Sequence, residues 1–425
     1  MAVLRKMRKL VRHPVLFFTD AVNKNISKDK SNATPEAARS LEFNFPRSEL
    51  ACLKFIIHAG DGAGSEFQFL NWLTELQKSY QPFAVMIRSL PVYVEASKRI
   101  TGCNLIYAKD ANGVENVMNR MSNLQLVLYV SNTGNNIHLL RNNHLTHAFI
   151  GHGDSEKSAS CHKFFRAYDE IWVSGQAHED RFLNANFKPG HLEFIRVGRS
   201  SLQGQVNYAP TQNGQPPATE ATGCSRKFLY LPTWEGAFDD SSYASLEYTN
   251  QIITTLCEQG TYQGAIKLHP LTGRRKTALA TLEESLFARF GQDRLRVISR
   301  MDLPINHFSG VDFLISDISS VITDFLVTQK PIFVYWPGFK NLLMAESKFS
   351  IKDYCYAYST ISELLSLVED VINFGNDPLA GMRRNALNYY IDLEATAQGA
   401  FQREIVRACT PTLTKPTALI SVEPV

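Results

Sequence analysis

The sequence predicts two doubly wound α/β domains joined by a linker. Short apolar segments alternate with helical stretches from about residue 53, and the alternation resumes after a segment rich in Gln, Pro, Thr and Gly. With 425 residues, 44% hydrophobic and 20% charged, the chain has the length and composition of two globular domains. The predicted boundaries are a basic N-terminal segment (1–35), a first domain (36–202), the linker (203–226), a second domain (227–408) and a flexible tail (409–425).

The N-terminal segment is predicted to form a basic amphipathic helix. Residues 1–30 contain eight Lys or Arg and two Asp, and the apolar residues before Pro14 fall on one helical face. Such a helix suits an anionic membrane surface, where each basic residue contributes about 1 kcal/mol of attraction. The alternative is a helix that packs on the protein's own body. We expect a cytoplasmic protein, peripheral on the inner face of the cell membrane, that contacts anionic lipid through residues 1–30.

Composition argues against other classes of protein. No apolar run approaches the roughly 18–20 residues of a membrane-spanning helix, and no signal peptide is expected. The seven cysteines are scattered without CxxC spacing, which favours free thiols in a reducing compartment. Beyond residue 30 the chain is slightly acidic, so nucleic acid is not an expected partner. Asp239-Asp240 is better explained as a solvated turn than as a metal motif, and neither a metal nor a cofactor is expected.

The first domain is predicted to begin with a strand, a glycine-containing turn and a helix. The strand is CLKFIIHAG, and the helix is SEFQFLNWLTELQKSY with its cap at Ser65. Five further strands are predicted in this domain: PFAVMIR, NLQLVLYV, HAFIG, EIWVSG and LEFIRVG.

The second domain repeats the alternation. Its predicted strands, each followed by a turn, are KFLYLPTWEG, GAIKLHP, RLRVIS, VDFLISD and PIFVYWP. Helices are predicted around 244–258, 276–289 and 319–328, and a late helix over about 378–408 is expected to cross back onto the first domain. Ligands of doubly wound folds bind outside the carboxyl ends of the strands, so polar residues at those ends are the functional candidates.

The clearest candidate is a hydroxyl-rich turn that follows a buried strand at 311–315. Its members are Ser316, Asp317, Ser319 and Ser320. Serine and aspartate at a helix start are ordinary caps. Several hydroxyls above a helix N-terminus also form a phosphate cradle, because free backbone N–H groups and the helix dipole face the anion. Asp317 would repel a phosphate, so we expect it to orient the turn or a ligand hydroxyl.

Three more segments place polar residues at predicted strand ends. In HAFIGHGDSEK, glycines flank His152 and leave its imidazole uncrowded, which suits proton removal at neutral pH; the alternative is an ordinary turn. In AIKLHP, His269 either hydrogen-bonds a phosphate oxygen or is structural. In YLPTWEG, Thr233 and Glu235 either lie at the domain interface or only flank a buried tryptophan.

Together, the segments HGDSEK, PTWEG, KLHP and SDISSVITDF resemble, in order and spacing, the CDP-glycerol:poly(glycerophosphate) glycerophosphotransferase family of teichoic acid polymerases and their relatives in capsule synthesis. The resemblance spans about residues 120–340 and is strongest at 310–336. It implies a GT-B fold, in which two Rossmann-like domains face a cleft. It also implies a CDP-alcohol donor on the C-terminal domain, an acceptor on the N-terminal domain, release of CMP, and no bound metal needed for the fold.

The resemblance implies a role for each motif residue. His152 matches the histidine of the family's His-Gly-x-x-x-Lys pattern, which implies that it is the general base, and Lys157 is the last residue of the same pattern. His269 is similar to the histidine that holds the donor pyrophosphate. The donor-binding set consists of Lys157, Thr233, Glu235, Ser316, Asp317, Ser319 and Ser320. Where polymerase members commonly have Trp-His-Gly-Thr-Pro, this chain has Gly-His-Gly-Asp-Ser at 151–155.

The predicted function is the transfer of a polyol phosphate group from a CDP-activated donor to an acceptor hydroxyl during synthesis of teichoic acid or capsule. The acceptor is expected to be a lipid-linked chain or a polysaccharide, which fits a basic N-terminus at the membrane. A GT-B glycosyltransferase acting on a nucleotide sugar is the alternative, because it would use the same base and phosphate turn. A non-catalytic assembly protein of a capsule complex is the third hypothesis.

Overall fold

A computed structural model of the chain describes residues 40–156, 161–185, 190–204, 226–236, 243–258, 262–337 and 347–411. The predicted N-terminal helix, nearly all of the predicted linker, most of the predicted tail and Lys157 lie outside the described residues. Within the described ranges, no helix is both long enough and apolar enough to cross a membrane.

The first sheet contains every strand predicted for it and two more. Its eight strands are β1 (Leu41–Phe43), β2 (Phe55–Ala59), β3 (Phe83–Ile87), β4 (Asn104–Ala108), β5 (Leu126–Tyr129), β6 (Thr146–Phe149), β7 (Glu170–Val173) and β8 (Glu193–Arg196). The spatial order is β1-β4-β3-β2-β5-β6-β7-β8. Only β1 pairs antiparallel, with β4. The helices are α1 (Phe67–Gln77), α2 (Leu90–Arg99), α3 (Ala111–Met118), α4 (Ile137–Leu140) and α5 (Gln176–Asn184).

The second sheet is entirely parallel and follows the same plan. Its strands are β9 (Arg226–Leu231), β10 (Tyr262–Ile266), β11 (Leu295–Val297), β12 (Phe313–Asp317), β13 (Ile332–Tyr335) and β14 (Tyr356–Tyr358), and only β14 is absent from the predicted set. Their order is β11-β10-β9-β12-β13-β14. The helices are α6 (Thr249–Glu258), α7 (Leu282–Arg294), α8 (Val321–Phe325), α9 (Ile351–Tyr354), α10 (Ile361–Val368), α11 (Ala380–Tyr390), α12 (Leu393–Ala397) and α13 (Ala400–Cys409).

Two helix predictions are wrong in detail. Helix α1 begins at Phe67, and Ser65 does not cap it. The late helix predicted as one piece over 378–408 is three helices, α11, α12 and α13. Asp392 caps α12 with its side chain, and Gly399 takes a left-handed conformation before α13. These local signals stop a helix that apolar periodicity alone would continue.

Both faces of each sheet are covered by apolar layers. In β2, Phe55 and Ile57 face one core while Ile56 faces the other. In β12, Phe313 and Leu314 divide in the same way. Strands buried on both faces need near-continuous apolar sequence, which explains why these strands are recognisable in the sequence. Helix α13 belongs to the first sheet's core, where Phe401 stacks on Trp72 with ring centroids 4.8 Å apart.

The strand order fixes where a ligand binds. In each sheet the chain reverses its direction of winding at one point, between β2 and β5 in the first sheet and between β9 and β12 in the second. At such a point adjacent connections leave on opposite sides and open a crevice at the carboxyl ends of the strands. His152 follows β6, His269 follows β10 and Asp317 ends β12, so the predicted site residues lie at carboxyl ends.

Glycine at position 198 is required for the docking of the C-terminal helices. Gly198 has a φ of +67°, and a Cβ there would lie 2.3 Å from Thr396 Oγ1. We therefore expect Gly198→Ala to lower the free energy of unfolding by about 2–4 kcal/mol, through overpacking and backbone strain. Gly204→Ala is the control, since a Cβ at Gly204 meets no atom within 4 Å. Chemical denaturation gives both values, and equal stabilities of the two variants would contradict the prediction.

Candidate active site

The loop after β6 holds His152 in one tautomer. His152 Nδ1 lies 2.8 Å from the carbonyl oxygen of Val130. A carbonyl oxygen only accepts, so the proton of the neutral ring resides on Nδ1 and Nε2 presents its lone pair. The preceding residue, Gly151, has a φ of +64° and accepts a hydrogen bond from the indole N–H of Trp72 at 2.8 Å. The loop thus turns sharply and is fixed to α1.

The surroundings of His152 keep its ring neutral. Burial lowers the pKa of His152 and outweighs the hydrogen bond to Val130 and the nearby carboxylate of Asp61, both of which raise it. The charge of Arg199 lowers the pKa further. Because the pKa falls below its usual value, the imidazole is a free base at neutral pH. Both the tautomer and the neutral charge state of His152 therefore suit its Nε2 to accept a proton.

His269 is held in the opposite tautomer. The backbone N–H of Leu271 donates to His269 Nδ1 at 3.1 Å, so the proton of the neutral ring resides on Nε2. Trp234 stacks beside the same ring, with centroids 6.3 Å apart. An imidazole fixed in this way presents an N–H donor rather than a base. That is the group required to bind a phosphate oxygen.

One aromatic ring lies between the two histidines. Phe67, at the start of α1, meets His152 edge to face with ring centroids 5.6 Å apart and meets His269 at 5.3 Å. The two predicted histidines, one from each sheet, therefore face the same small region. This juxtaposition is the central geometric feature of the site.

The His152 loop also contacts the turn of the second sheet. A Cβ on Gly153 would lie 2.5 Å from Ser320 Oγ, so only glycine permits this approach. Thr323 donates from its hydroxyl to the carbonyl oxygen of Asp154 at 3.2 Å. The hydroxyl-rich turn predicted at 316–320 is thus brought against the loop that carries His152.

Within this turn, the buried members bind their own chain. Asp317 is fully buried and accepts the backbone N–H of Thr233 at 2.8 Å and that of Ser245 at 3.1 Å. Ser316 donates to the carbonyl oxygen of Leu231 at 3.0 Å. Asp317 therefore orients the turn, one of the two roles expected for it. The backbone N–H of Thr233, another predicted donor-binding residue, is one of the groups that it holds.

The outer serines are more accessible. Ser319 donates to the carbonyl oxygen of Asp317 at 3.2 Å, while the Ser320 hydroxyl has no hydrogen-bond partner among the described residues. Helix α8 behind them is only five residues long and continues as a 3₁₀ turn at Leu326–Thr328. A helix this short provides little macrodipole. The hydroxyls themselves are the stronger candidates for contact with an anion.

Glu235 organises the loop that carries His269. It is 2% exposed and accepts the backbone N–H groups of Gly273, Arg275 and Lys276. Burial alone would raise the pKa of Glu235, but these hydrogen bonds outweigh it and lower the pKa. Its carboxylate binds the protein's own backbone and supports the loop that carries His269, while its role in donor binding stays a prediction.

A buried arginine fixes the segment after His152. The side chain of Arg181 has no exposed surface and pairs with Asp154 and, at 3.0 Å, with Glu156. Glu156 also accepts from the hydroxyls of Ser347, at 2.8 Å, and Tyr390, at 2.7 Å. The cluster joins the His152 loop to α5 and to α11. Removal of one charge from such a cluster costs about 3–5 kcal/mol, because its partner stays buried.

Sequence reasoning did not find several residues of this site. Phe67 is one apolar residue in an amphipathic helix, so no local pattern distinguishes it. Arg199 directly follows the predicted strand LEFIRVG, and this position at a strand end is a sequence feature by which it could have been found. It binds Asp324 of α8 through both carboxylate oxygens, at 2.8 and 2.9 Å. Among the residues that the structure describes, no group of three or more His, Cys, Asp or Glu side chains is placed to bind a metal.

A protein-family model matches part of the chain. Residues 155–342 match the family model of CDP-Glycerol:Poly(glycerophosphate) glycerophosphotransferase. The matched range begins just after His152 and includes His269 and the 316–320 turn. No curated protein sequence matches the chain significantly. The family match confirms the resemblance predicted from the motifs and the prediction of a glycerophosphotransferase-like enzyme.

Solved structures confirm the predicted fold class. The wall teichoic acid polymerase TagF superposes with a TM-score of 0.54 and 13% identity, over 95% of this chain and 98% of that one. A TagF variant soaked with CDPG gives a TM-score of 0.55 and 13% identity, with 96% and 98% covered. S. aureus MnaA with UDP gives 0.52 and 10% identity, with 86% and 99% covered. At these identities the likeness concerns the fold.

The buried carboxylate of Asp317 provides a test of how the site is built. Asp317→Ala leaves two buried backbone N–H groups, of Thr233 and Ser245, without an acceptor. We expect a loss of about 2–4 kcal/mol in the free energy of unfolding, measured by chemical denaturation. Asp312→Ala is the control, because Asp312 accepts the N–H of Lys227 at the exposed end of the same strand pair, at 2.7 Å. A loss no larger than that of the control would contradict a role in orienting the turn.

Proposed function

We propose that this chain transfers a polyol phosphate group, of the glycerol phosphate type, from a CDP-activated donor to an acceptor hydroxyl, in the synthesis of a cell-surface polymer such as teichoic acid or capsule. The observation that carries the proposal is the pair of histidines around Phe67. One presents a lone pair and the other an N–H donor. Direct transfer to an acceptor hydroxyl requires this combination, a base on one side and an electrophilic clamp on the other.

In the proposed reaction, His152 acts on the acceptor. Its Nε2 takes the proton of the acceptor hydroxyl, and the oxygen attacks the donor phosphorus that carries the polyol. The hydrogen bond from Nδ1 to Val130 keeps the ring in the required tautomer and stabilises the imidazolium that forms. The Asp61 carboxylate, which raises the pKa of His152, stabilises the same cation.

His269 and the outer serines act on the donor. As the new P–O bond forms, the bond from phosphorus to the CMP oxygen breaks and its electron pair leaves with CMP. His269 Nε2–H donates to an oxygen of the pyrophosphate, and the hydroxyls of Ser319 and Ser320 bind phosphate oxygens beside it. Lys157, which the sequence places five residues after His152, supplies a positive charge to the donor in this proposal. Transfer of this kind depends mainly on positioning and on charge stabilisation.

The test of the transfer is nucleotide release. Purified protein is incubated with CDP-glycerol, CDP-ribitol and a set of UDP-, GDP- and CMP-sugars, together with a lipid acceptor extract, and the products are read by mass spectrometry. We expect CMP from a CDP-polyol. His152→Ala should lower this rate by about 10²–10⁴-fold, since it removes the base. His269→Ala should lower it by about 10²–10³-fold through lost charge stabilisation.

The control for both variants is His191→Ala, since His191 is an exposed histidine outside the site. Circular dichroism checks that each variant is folded. Turnover of a nucleotide sugar alone would establish the glycosyltransferase alternative. Polymer formation in cells that is unchanged in a folded His152→Ala variant would establish a non-catalytic assembly protein.

The acceptor is proposed to be lipid-linked, and the enzyme to act at the inner face of the membrane. This proposal rests on the basic, amphipathic pattern of residues 1–30. We expect deletion of residues 1–30 to weaken binding to liposomes that contain anionic phospholipid, measured by co-sedimentation, and to leave the weak binding to neutral liposomes unchanged. Equal binding of the full chain and the deletion variant to anionic liposomes would disprove membrane attachment through this segment.

A further inference from the structure

His152 contributes to the wall of a pocket whose lining does not include the 316–320 turn. The pocket is open to solvent. It lies between α1, the loop after β8, the loop that leads into β12, and α8. The residues that line it are Asn71, Trp72, His152, Arg199, Ser201, Leu303, Pro304, Ile305 and Asp324.

The lining separates this pocket from the donor side of the site. Neither His269 nor a serine of the 316–320 turn contributes to it. Phe67, which contacts both histidines, is also absent from its wall. His152 therefore has two neighbouring spaces. In the proposed reaction the donor occupies one, so the hydroxyl that loses its proton enters from the other.

The polar part of the lining includes the ion pair between Arg199 and Asp324, in which one nitrogen of the guanidinium is unpaired within the described part of the chain. Arg199 binds Asp324 through Nε and Nη2, at 2.8 and 2.9 Å. Its Nη1 has no hydrogen-bond partner among the described residues, although the side chain is only 13% exposed. A guanidinium held by a carboxylate on one edge presents its other edge in a fixed direction, which suits a phosphate oxygen.

Another part of the lining is apolar. Leu303, Pro304 and Ile305 face the pocket together with Trp72. The C–H groups of a polyol chain pack on apolar side chains, and its phosphate oxygens bind a guanidinium. Since a sugar ring also has a C–H face, the unpaired edge of Arg199 is the feature that favours a ligand with a phosphate.

We propose that this pocket is the acceptor subsite and that Arg199 is the residue that reads the acceptor. The terminal polyol places its hydroxyl at His152 Nε2, and the phosphate that follows this polyol binds Arg199 Nη1. This inference rests on the proposed function. It agrees with the chemistry of the proposed transfer, because the product of a polyol phosphate transfer ends in a polyol attached to phosphate. The product of one transfer thus has the shape of the next acceptor.

Two substitutions that break the same ion pair should have opposite effects. Arg199→Gln removes the guanidinium that binds the acceptor phosphate. Asp324→Asn removes the carboxylate that competes for this guanidinium and leaves the arginine in place. With glycerol 3-phosphate as probe and calorimetry or NMR titration as readout, we expect Arg199→Gln to weaken binding by about tenfold or more. Asp324→Asn should bind at least as tightly as the unmodified protein. A purely structural ion pair would give a loss in both variants, and that result would overturn the proposal.

Two further variants locate the bound probe. Ser201→Phe fills the pocket without touching the ion pair, and it should abolish binding of glycerol 3-phosphate while CMP still binds. His269→Ala should leave glycerol 3-phosphate binding intact, because the probe is expected in the pocket. A probe bound at the donor turn would instead be lost in this variant. Arg196→Gln is the control, because Arg196 forms an exposed ion pair with Glu179 outside the pocket. Binding that survives Ser201→Phe, or no binding to the unmodified protein, would overturn the proposal.

The same experiments separate this inference from the proposed function. In the transfer assay, Arg199→Gln and Ser201→Phe should raise the acceptor KM about tenfold or more at an unchanged donor KM. If no CDP-polyol is turned over but the probe binds in the pocket as described, the subsite stands and the proposed donor is wrong. If CDP-polyol is turned over and the acceptor KM is the same in all variants, the proposed function stands and the subsite is wrong.

Discussion

The arrangement of the site depends on Arg181, a fully buried cation between two carboxylates. Asp154 and Glu156 lie two and four residues after His152, and both pair with this guanidinium. Without the arginine, two buried negative charges would stand next to each other directly behind the proposed base. The loop is therefore bound to α5 by buried ion pairs, and a movement that separated one of these pairs would leave an unpaired buried charge. Glu156 extends the constraint to the second sheet's side of the molecule through Ser347 and Tyr390.

The same cluster includes a residue at which the chain departs from the motif of the family that it resembles. Polymerase members commonly have Thr-Pro after His-Gly, where this chain has Asp154-Ser155. A proline would stiffen the loop by its own ring. Here the loop is instead held by a side-chain ion pair, and the carbonyl oxygen of Asp154 accepts from Thr323. The position of His152 is thus fixed by tertiary contacts rather than by local backbone restriction.

The contacts across the cleft link the two halves of the proposed chemistry. Gly153 lies against Ser320, Arg199 binds Asp324, and Phe67 bridges His152 and His269. Each of these pairs joins a residue of the first sheet's side to one of the second. The proposed base, the proposed donor turn and the proposed acceptor pocket consequently depend on both sheets for their arrangement.

The sequence by itself determined the α/β architecture, most of the strands, and the motif residues at the strand ends. It could do so because strands buried on both faces are near-continuous apolar runs, and because glycine, serine and histidine at their ends break that pattern. Of the strands that the sequence analysis missed, β1 and β14 are short edge strands that lack this signal, whereas the internal strand β4 has it. The caps of α12 and α13 act against a periodicity that continues through them. Only the tertiary structure decided which of the predicted residues face a ligand. Asp317 and Glu235 bind backbone N–H groups that fold back from other segments, and Phe67 and Arg199 gain their places from packing between the sheets. Long-range contacts of this kind leave no local pattern, because even the hydrogen-bonded residues that meet are separated by 40 to 125 positions of chain.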